Sequence, residues 1–169
     1  SLGRKWQCAT IQLDFQMPER FDINYVDQSN ELVKPVMIHR AIFGSMERFF
    51  GILTENFAGA FPTWMMPEQV SIVSVSEKFN DKARELGKLL NKNGIRTSLN
   101  LGAATVGYKI REEQMKKIPY MIVFGEKEAD SDLVNIRTRK GNQIEGIKVE
   151  EFIKTVKEEI KERKLELSY

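Results

Sequence analysis

The chain has 169 residues, 41% of them hydrophobic and 30% charged, and a formal charge of +2. This length allows one domain, or one domain with part of another. The small net charge excludes nucleic-acid binding by bulk charge alone, so any such function must rest on where the lysines and arginines sit. One cysteine, Cys8, excludes an internal disulfide, no apolar run is long enough for a membrane span, and the opening "SLGRKWQC" has no apolar signal core, so a cytoplasmic location with no membrane partner is expected.

Residues 6–15, "WQCATIQLDF", alternate: Ala9, Ile11, Leu13 and Phe15 share one face, and Cys8, Thr10, Gln12 and Asp14 the other. Period two predicts a strand with one apolar side. The polar stretch "MPERFDINYVDQSNELVKP" reads as loops with a short strand, and "VMIH" as a buried strand. From Gly44 onward Met46, Phe49, Phe50, Leu53 and Phe57 recur at helical spacing, with Gly59 as the stop. Two prolines in "FPTWMMP" mark a domain boundary.

Beyond it the texture changes. "VSIVSV" predicts a strand, and the next segment places Phe79, Ala83, Leu86 and Leu90 on one helical stripe closed by Gly94. "IRTSLNL" reads as a strand, "TVGYKIREEQMKKI" as a helix carrying Ile110 and Met115, and "PYMIVFG" as a third strand. "EKEADSD" reads as a turn, "LVNIRTR" as a fourth strand and "GNQIEG" as a loop; a final helix turns Val149, Phe152, Val156 and Ile160 inward. The order β-α-β-α-β-β-α predicts a mixed, mostly parallel sheet flanked by helices over residues 62–169. Residues 1–61 hold too few elements to bury both faces of a sheet and read as part of a larger antiparallel one.

Several side chains carry candidate chemistry. Arg48, one turn into the helix after a Gly-Ser pair, presents a planar fork suited to phosphate; spacing alone favours the plainer reading, a solvated residue paired with Glu47 or Glu55. His39 is the only histidine, and it makes no zinc-ligand spacing with Cys8. Lys109, Arg111, Lys116 and Lys117 lie in or beside one short helix, and Arg137, Arg139 and Lys140 end a strand, which together suggest a basic surface for an RNA backbone. Glu128, in the turn after a strand, offers an acceptor to unstacked base edges. The competing reading is a solvated face balanced by Glu112, Glu113, Glu126 and Glu128. No glycine-rich phosphate loop follows any strand, which argues against a small nucleotide-dependent enzyme.

"WQCATIQLDF", "PVMIHRAIFGSMERFFGILTE" and "FPTW" resemble the end of the catalytic core of the threonyl-tRNA synthetase family, class II motif 3 included; "GIR", "GYKIRE", "PYMIVFGEKE" and "IRTRKG" resemble the C-terminal anticodon-binding domain of the same family. The resemblance implies an α/β fold of the class IIa anticodon-binding type at 62–169, preceded at 1–61 by a partial antiparallel-sheet remnant of the core. It implies that Arg48 holds ATP phosphates, that His39 is one of three zinc ligands, and that Gln7, Thr10 and Gln12 line the threonine and adenylate pocket. On the alternation of residues 6–15, Gln7 falls on the wrong face for this unless the strand bulges. It also implies that Lys109, Arg111, Lys117, Glu128, Arg137 and Arg139 serve the anticodon. The parent enzyme would be a homodimer joining threonine to tRNA(Thr), with Zn2+ and Mg-ATP as cofactors. Motifs 1 and 2 and the other two zinc ligands have no counterpart here, so this chain by itself is expected to bind neither cofactor and to form no adenylate. The loop "LGAATVG" departs from the family, since Ala103 and Thr105 supply neither a cation nor an amide, and Lys117 stands where an arginine is common. A free-standing accessory protein, binding RNA or protein without catalysis, is the alternative that this departure favours.

Overall fold

The computed structural model describes residues 3–169, and the chain divides into two compact units that part after Gly59. In the first, strands β1 (Ala9–Asp14) and β4 (Met37–Ile42) pair antiparallel. Thr10 faces Ala41, Gln12 faces His39 and Asp14 faces Met37, so the polar side of β1 and His39 share one face. The other face carries Ile11, Leu13, Ile38 and Ile42, each more than half exposed. Between the strands, where loops and a short strand are predicted, lie a short helix α1 (Gln16–Arg20) and a hairpin of β2 (Tyr25–Val26) and β3 (Leu32–Val33). Asp14 starts α1 by accepting from the backbone N–H groups of Gln16 and Met17, both at 2.9 Å.

Helix α2 (Met46–Phe57) follows β4 through a turn in which Phe43 and Gly44 both take positive φ, 72° and 71°. The strained Phe43 backbone is held by ring stacking on Phe49 at 4.5 Å. Ser45 then caps the helix by accepting from Arg48 N at 3.2 Å.

The second unit runs β5 (Val70–Ser74), α3 (Asn80–Lys92), β6 (Thr97–Asn100), α4 (Val106–Met115), β7 (Tyr120–Phe124), α5 (Glu126–Ala129), β8 (Leu133–Thr138), β9 (Gln143–Lys148), α6 (Val149–Lys161). Its sheet has the order β6-β5-β7-β8-β9; β5 pairs parallel with β6 and β7, and the two remaining pairings are antiparallel. Two local expectations are corrected. The turn after β7 is the helix α5, and "GNQIEG" is mostly strand β9. Its two glycines read as loop punctuation but do different work: Gly141, at φ 93°, turns the hairpin, whereas Gly146, at φ 69°, sits inside the strand.

One face of the sheet buries Val70, Ile72, Tyr120, Ile122, Val134 and Ile136 against Ala83, Leu86 and Leu90 of α3 and Phe152 and Val156 of α6. These are the apolar stripes of the sequence. The other face is covered differently. Helix α4 turns Lys109 and Glu113 inward, and Met115 is 75% exposed. The Lys109 ammonium donates to Ser74 O at 2.9 Å, and Asn100 Nδ2 donates to Glu113 Oε1 at 2.7 Å. Buried charge is tolerated here because hydrogen bonds replace water. Helix α4 packs on β5, and the β8–β9 half of that face stays open.

Candidate nucleic-acid interface

The polar face of β1–β4 gathers most of the predicted pocket residues. Gln7, Thr10, Ala41, Gly44, Ser45 and Arg48 line one depression of about 360 Å³. Gln7 lies before the strand begins, so alternation does not bind it, and its Nε2 donates to Thr10 Oγ1 at 3.0 Å. The Arg48 guanidinium stacks over the Trp6 ring at 5.6 Å. Gln12 and His39 lie opposite each other further along the ribbon. His39 Nε2 is 3.0 Å from Asp14 Oδ2. The Asp14 carboxyl is held below its ordinary range by the Met17 N–H first and by His39 second. A zinc site needs three or four converging protein ligands, and among the described residues no three His, Cys, Asp or Glu side chains converge. The residues of this chain by themselves do not fit the ion; they offer one imidazole, oriented by a carboxylate.

In the second unit, alternation along β8 sends Val134, Ile136 and Thr138 into the core and Asn135 and Arg137 to the open face. There a shallow groove of about 250 Å³ runs between α4 and the hairpin, lined by Ile110, Val123, Asn135, Arg137, Gln143 and Glu145. A neighbouring hollow of about 260 Å³ shares Asn135 and Glu145 with it and adds Lys127, Glu128 and Gly146. The two form one concave strip across β8 and β9. Arg137 Nε is buried in it with no hydrogen-bond partner among the described residues. Such a group is costly unless something accepts from it.

The predicted anticodon residues therefore separate. Arg137 lines the groove and Glu128 the neighbouring hollow, with Asn135 common to both. Arg111 is exposed on the outer side of α4 beside Tyr108 and Met115, and Lys117 is exposed in a left-handed turn at the helix end, φ 57°. Lys109 is not part of a basic surface: it is 3% exposed and bonded to Ser74 O, because its position in α4 faces the sheet. Arg139 is likewise turned away. Its Nη1 donates to Phe61 O, and burial lowers its guanidinium's pKa against the opposing pull of Glu166. Lys140 pairs with Glu166 on the surface. Glu128 does not stand free in a turn. It is 9% exposed and accepts from Gly125 N at 2.9 Å and from Asn135 Nδ2 at 2.5 Å. Asn135 was missed by the sequence reading, although the alternation that puts Arg137 on the open face puts Asn135 there as well.

Comparison with known proteins gives both units relatives. Residues 1–57 match the family model described as tRNA synthetase class II core domain (G, H, P, S and T), and residues 69–159 match the one described as anticodon binding domain. The chain is 66% identical over 169 residues to the threonine--tRNA ligase of Petrotoga mobilis, covering 100% of this chain and 26% of that protein. It is 52% identical over 167 residues to the ligase of Thermotoga petrophila, covering 99% and 26%. A solved RNA binding domain of threonyl-tRNA synthetase from Cryptosporidium parvum Iowa II superposes with a TM-score of 0.79 at 38% identity, over 94% of this chain and 40% of that one. The chain thus spans about a quarter of the length of the curated relatives it matches.

Proposed function

Because the chain belongs to the family of anticodon binding domains, we propose that its second unit grips the anticodon loop of tRNA(Thr) along the concave strip of β8 and β9, as part of an enzyme that joins threonine to that tRNA. The observation that carries this reading is Arg137, whose buried guanidinium Nε–H has no hydrogen-bond partner among the described residues and lies in an open groove on the unit that matches the family. A single-stranded loop presents phosphate oxygens and unpaired base edges, either of which accepts from a guanidinium. Glu128 complements it as an acceptor for base N–H groups, and Arg111 and Lys117 stand at the α4 side to meet the backbone. This is a short row of cations rather than a broad basic face, which accords with a net charge of only +2.

For the first unit the reading assigns Arg48 to ATP phosphates, Gln7, Thr10 and Gln12 to threonine and its adenylate, and His39 to one of three zinc ligand positions. In the parent enzyme zinc would supply a Lewis acid for the amino and hydroxyl groups of threonine. Asp14 would hold the His39 ring from Nε2 and leave Nδ1 to face the ion. Mg-ATP, a homodimeric parent and a cytoplasmic location belong to the same reading.

The test is equilibrium binding of this chain to a hairpin carrying the tRNA(Thr) anticodon loop, against hairpins with each anticodon base changed, across a salt series. The expected result is about five- to hundredfold weaker binding for at least one changed base, with affinity falling as salt rises. Equal binding to all hairpins sinks the proposal.

A further inference from the structure

We propose that Asn135 is a positioning residue: it locks the Glu128 carboxylate as a fixed acceptor on the groove, so that the chain favours an anticodon base presenting amino or imino N–H donors. This rests on the function proposed above and names the device by which one base is read.

Two hydrogen bonds constrain the Asn135 side chain. Asn135 Nδ2 donates to Glu128 Oε1 at 2.5 Å, and Asn135 Oδ1 accepts from Gly146 N at 3.0 Å. These two bonds fix the sense of the amide, because the flipped form would set its oxygen against the carboxylate and its NH2 against an N–H. The second bond exists because of a β-bulge. Val134 pairs with Ile147, but Ile136 pairs with Ile144, so Glu145 and Gly146 together oppose Asn135. The extra residue, with Gly146 at φ 69°, turns a backbone N–H out of the ladder and toward the Asn135 side chain. A side chain at position 146 would strain that conformation.

Glu128 is clamped from its other side as well. It sits in the first turn of α5, where Oε2 accepts from Gly125 N at 2.9 Å. Each oxygen thus holds one donor and keeps a second lone pair. A carboxylate held this way accepts but does not donate, so it rewards a base edge rich in N–H groups and leaves one without them unpaired. Without Asn135, Glu128 would keep only its tie to Gly125 and would be free to swing toward solvent. The sheet would remain, since the core side of β8 is formed by Val134 and Ile136.

The experiment uses this chain and anticodon hairpins in which each base in turn is replaced by an analogue with no N–H donor on its pairing edge, purine riboside for a purine and pyrimidin-2-one riboside for a pyrimidine. For the unsubstituted chain, one position should show about a five- to hundredfold loss. In Asn135→Ala that ratio should fall to near one while the salt slope and the thermal midpoint hold. Asn135→Asp keeps the volume, removes the donor, and should behave the same way if the alanine variant folds poorly. In a Glu128→Ala background, which removes the acceptor altogether, Asn135→Ala should change the ratio no further. The inference is overturned if Asn135→Ala keeps the ratio, weakens all hairpins equally, or still acts in the Glu128→Ala background. It is also overturned if the unsubstituted chain shows no donor-dependent position; anticodon-dependent binding would then leave the proposed function standing. Loss of all anticodon preference in the unsubstituted chain overturns both.

Discussion

Two cations of the same formal charge sort into opposite roles. Arg137 lies on the open side of β8 with no hydrogen-bond partner for its Nε among the described residues, while Lys109 is buried under α4 with its ammonium on Ser74 O. Arg137→Ala is expected to weaken hairpin binding by about 1–3 kcal/mol, and Arg137→Lys to recover only part of it, since an ammonium lacks the planar fork. Lys109→Ala is expected to cost about 1–3 kcal/mol of stability, because Ser74 O loses its partner, and to leave the salt slope of binding unchanged. Denaturation and salt-titrated binding separate the two. The sequence placed both residues in one basic surface. Residue type and spacing were legible there, but burial was not, since it depends on a strand 35 positions away.

At the level of elements, local signals were strongest where the apolar period was long. Helices α2, α3 and α6 follow their stripes, and Ser45 caps α2 where the Gly-Ser pair predicts a helix start. Ser45→Ala is expected to cost about 1 kcal/mol, read as loss of helical signal at lower denaturant, and to loosen Arg48 in the first turn. Two short elements without an apolar period were misread. Helix α5 and strand β9 are built from polar residues and glycines, and what holds them is tertiary: the Glu128 carboxylate on Gly125 N for one, pairing with β8 for the other. Helix α4 was legible as a helix, but the face it turns to the sheet was not, because its contacts there include Lys109 and Glu113 hydrogen bonds and hydropathy does not register those.

Over the whole molecule, a buried polar cluster ties the second unit together. The Glu159 carboxylate accepts from Thr63 Oγ1, from Tyr120 OH at 2.6 Å and from Ser168 N at 2.9 Å, joining the segment before β5, the central strand β7, helix α6 and the C-terminal tail. Burial first, and the bond to Glu159 second, raise the Tyr120 phenol well above its ordinary value of 10.0. The folded chain keeps that proton where the unfolded chain has lost it. The stabilisation is therefore complete below pH about 10 and is lost as pH rises beyond it. The tyrosinate absorbance of the folded chain is expected to stop short of that of the unfolded chain, with Tyr120 withheld, and Tyr120→Phe should narrow the gap. The sequence by itself determined the apolar stripes, the polar face of β1 and the family likeness, because periodicity and motif spacing are properties of neighbouring residues. Only the tertiary structure decided which charges reach solvent, that half of one sheet face stays open, and that Asn135 and a bulge at Gly146 hold Glu128. Those outcomes depend on which strands pair and in what register, and a one-residue slip in β9 would move its side chains to the opposite face.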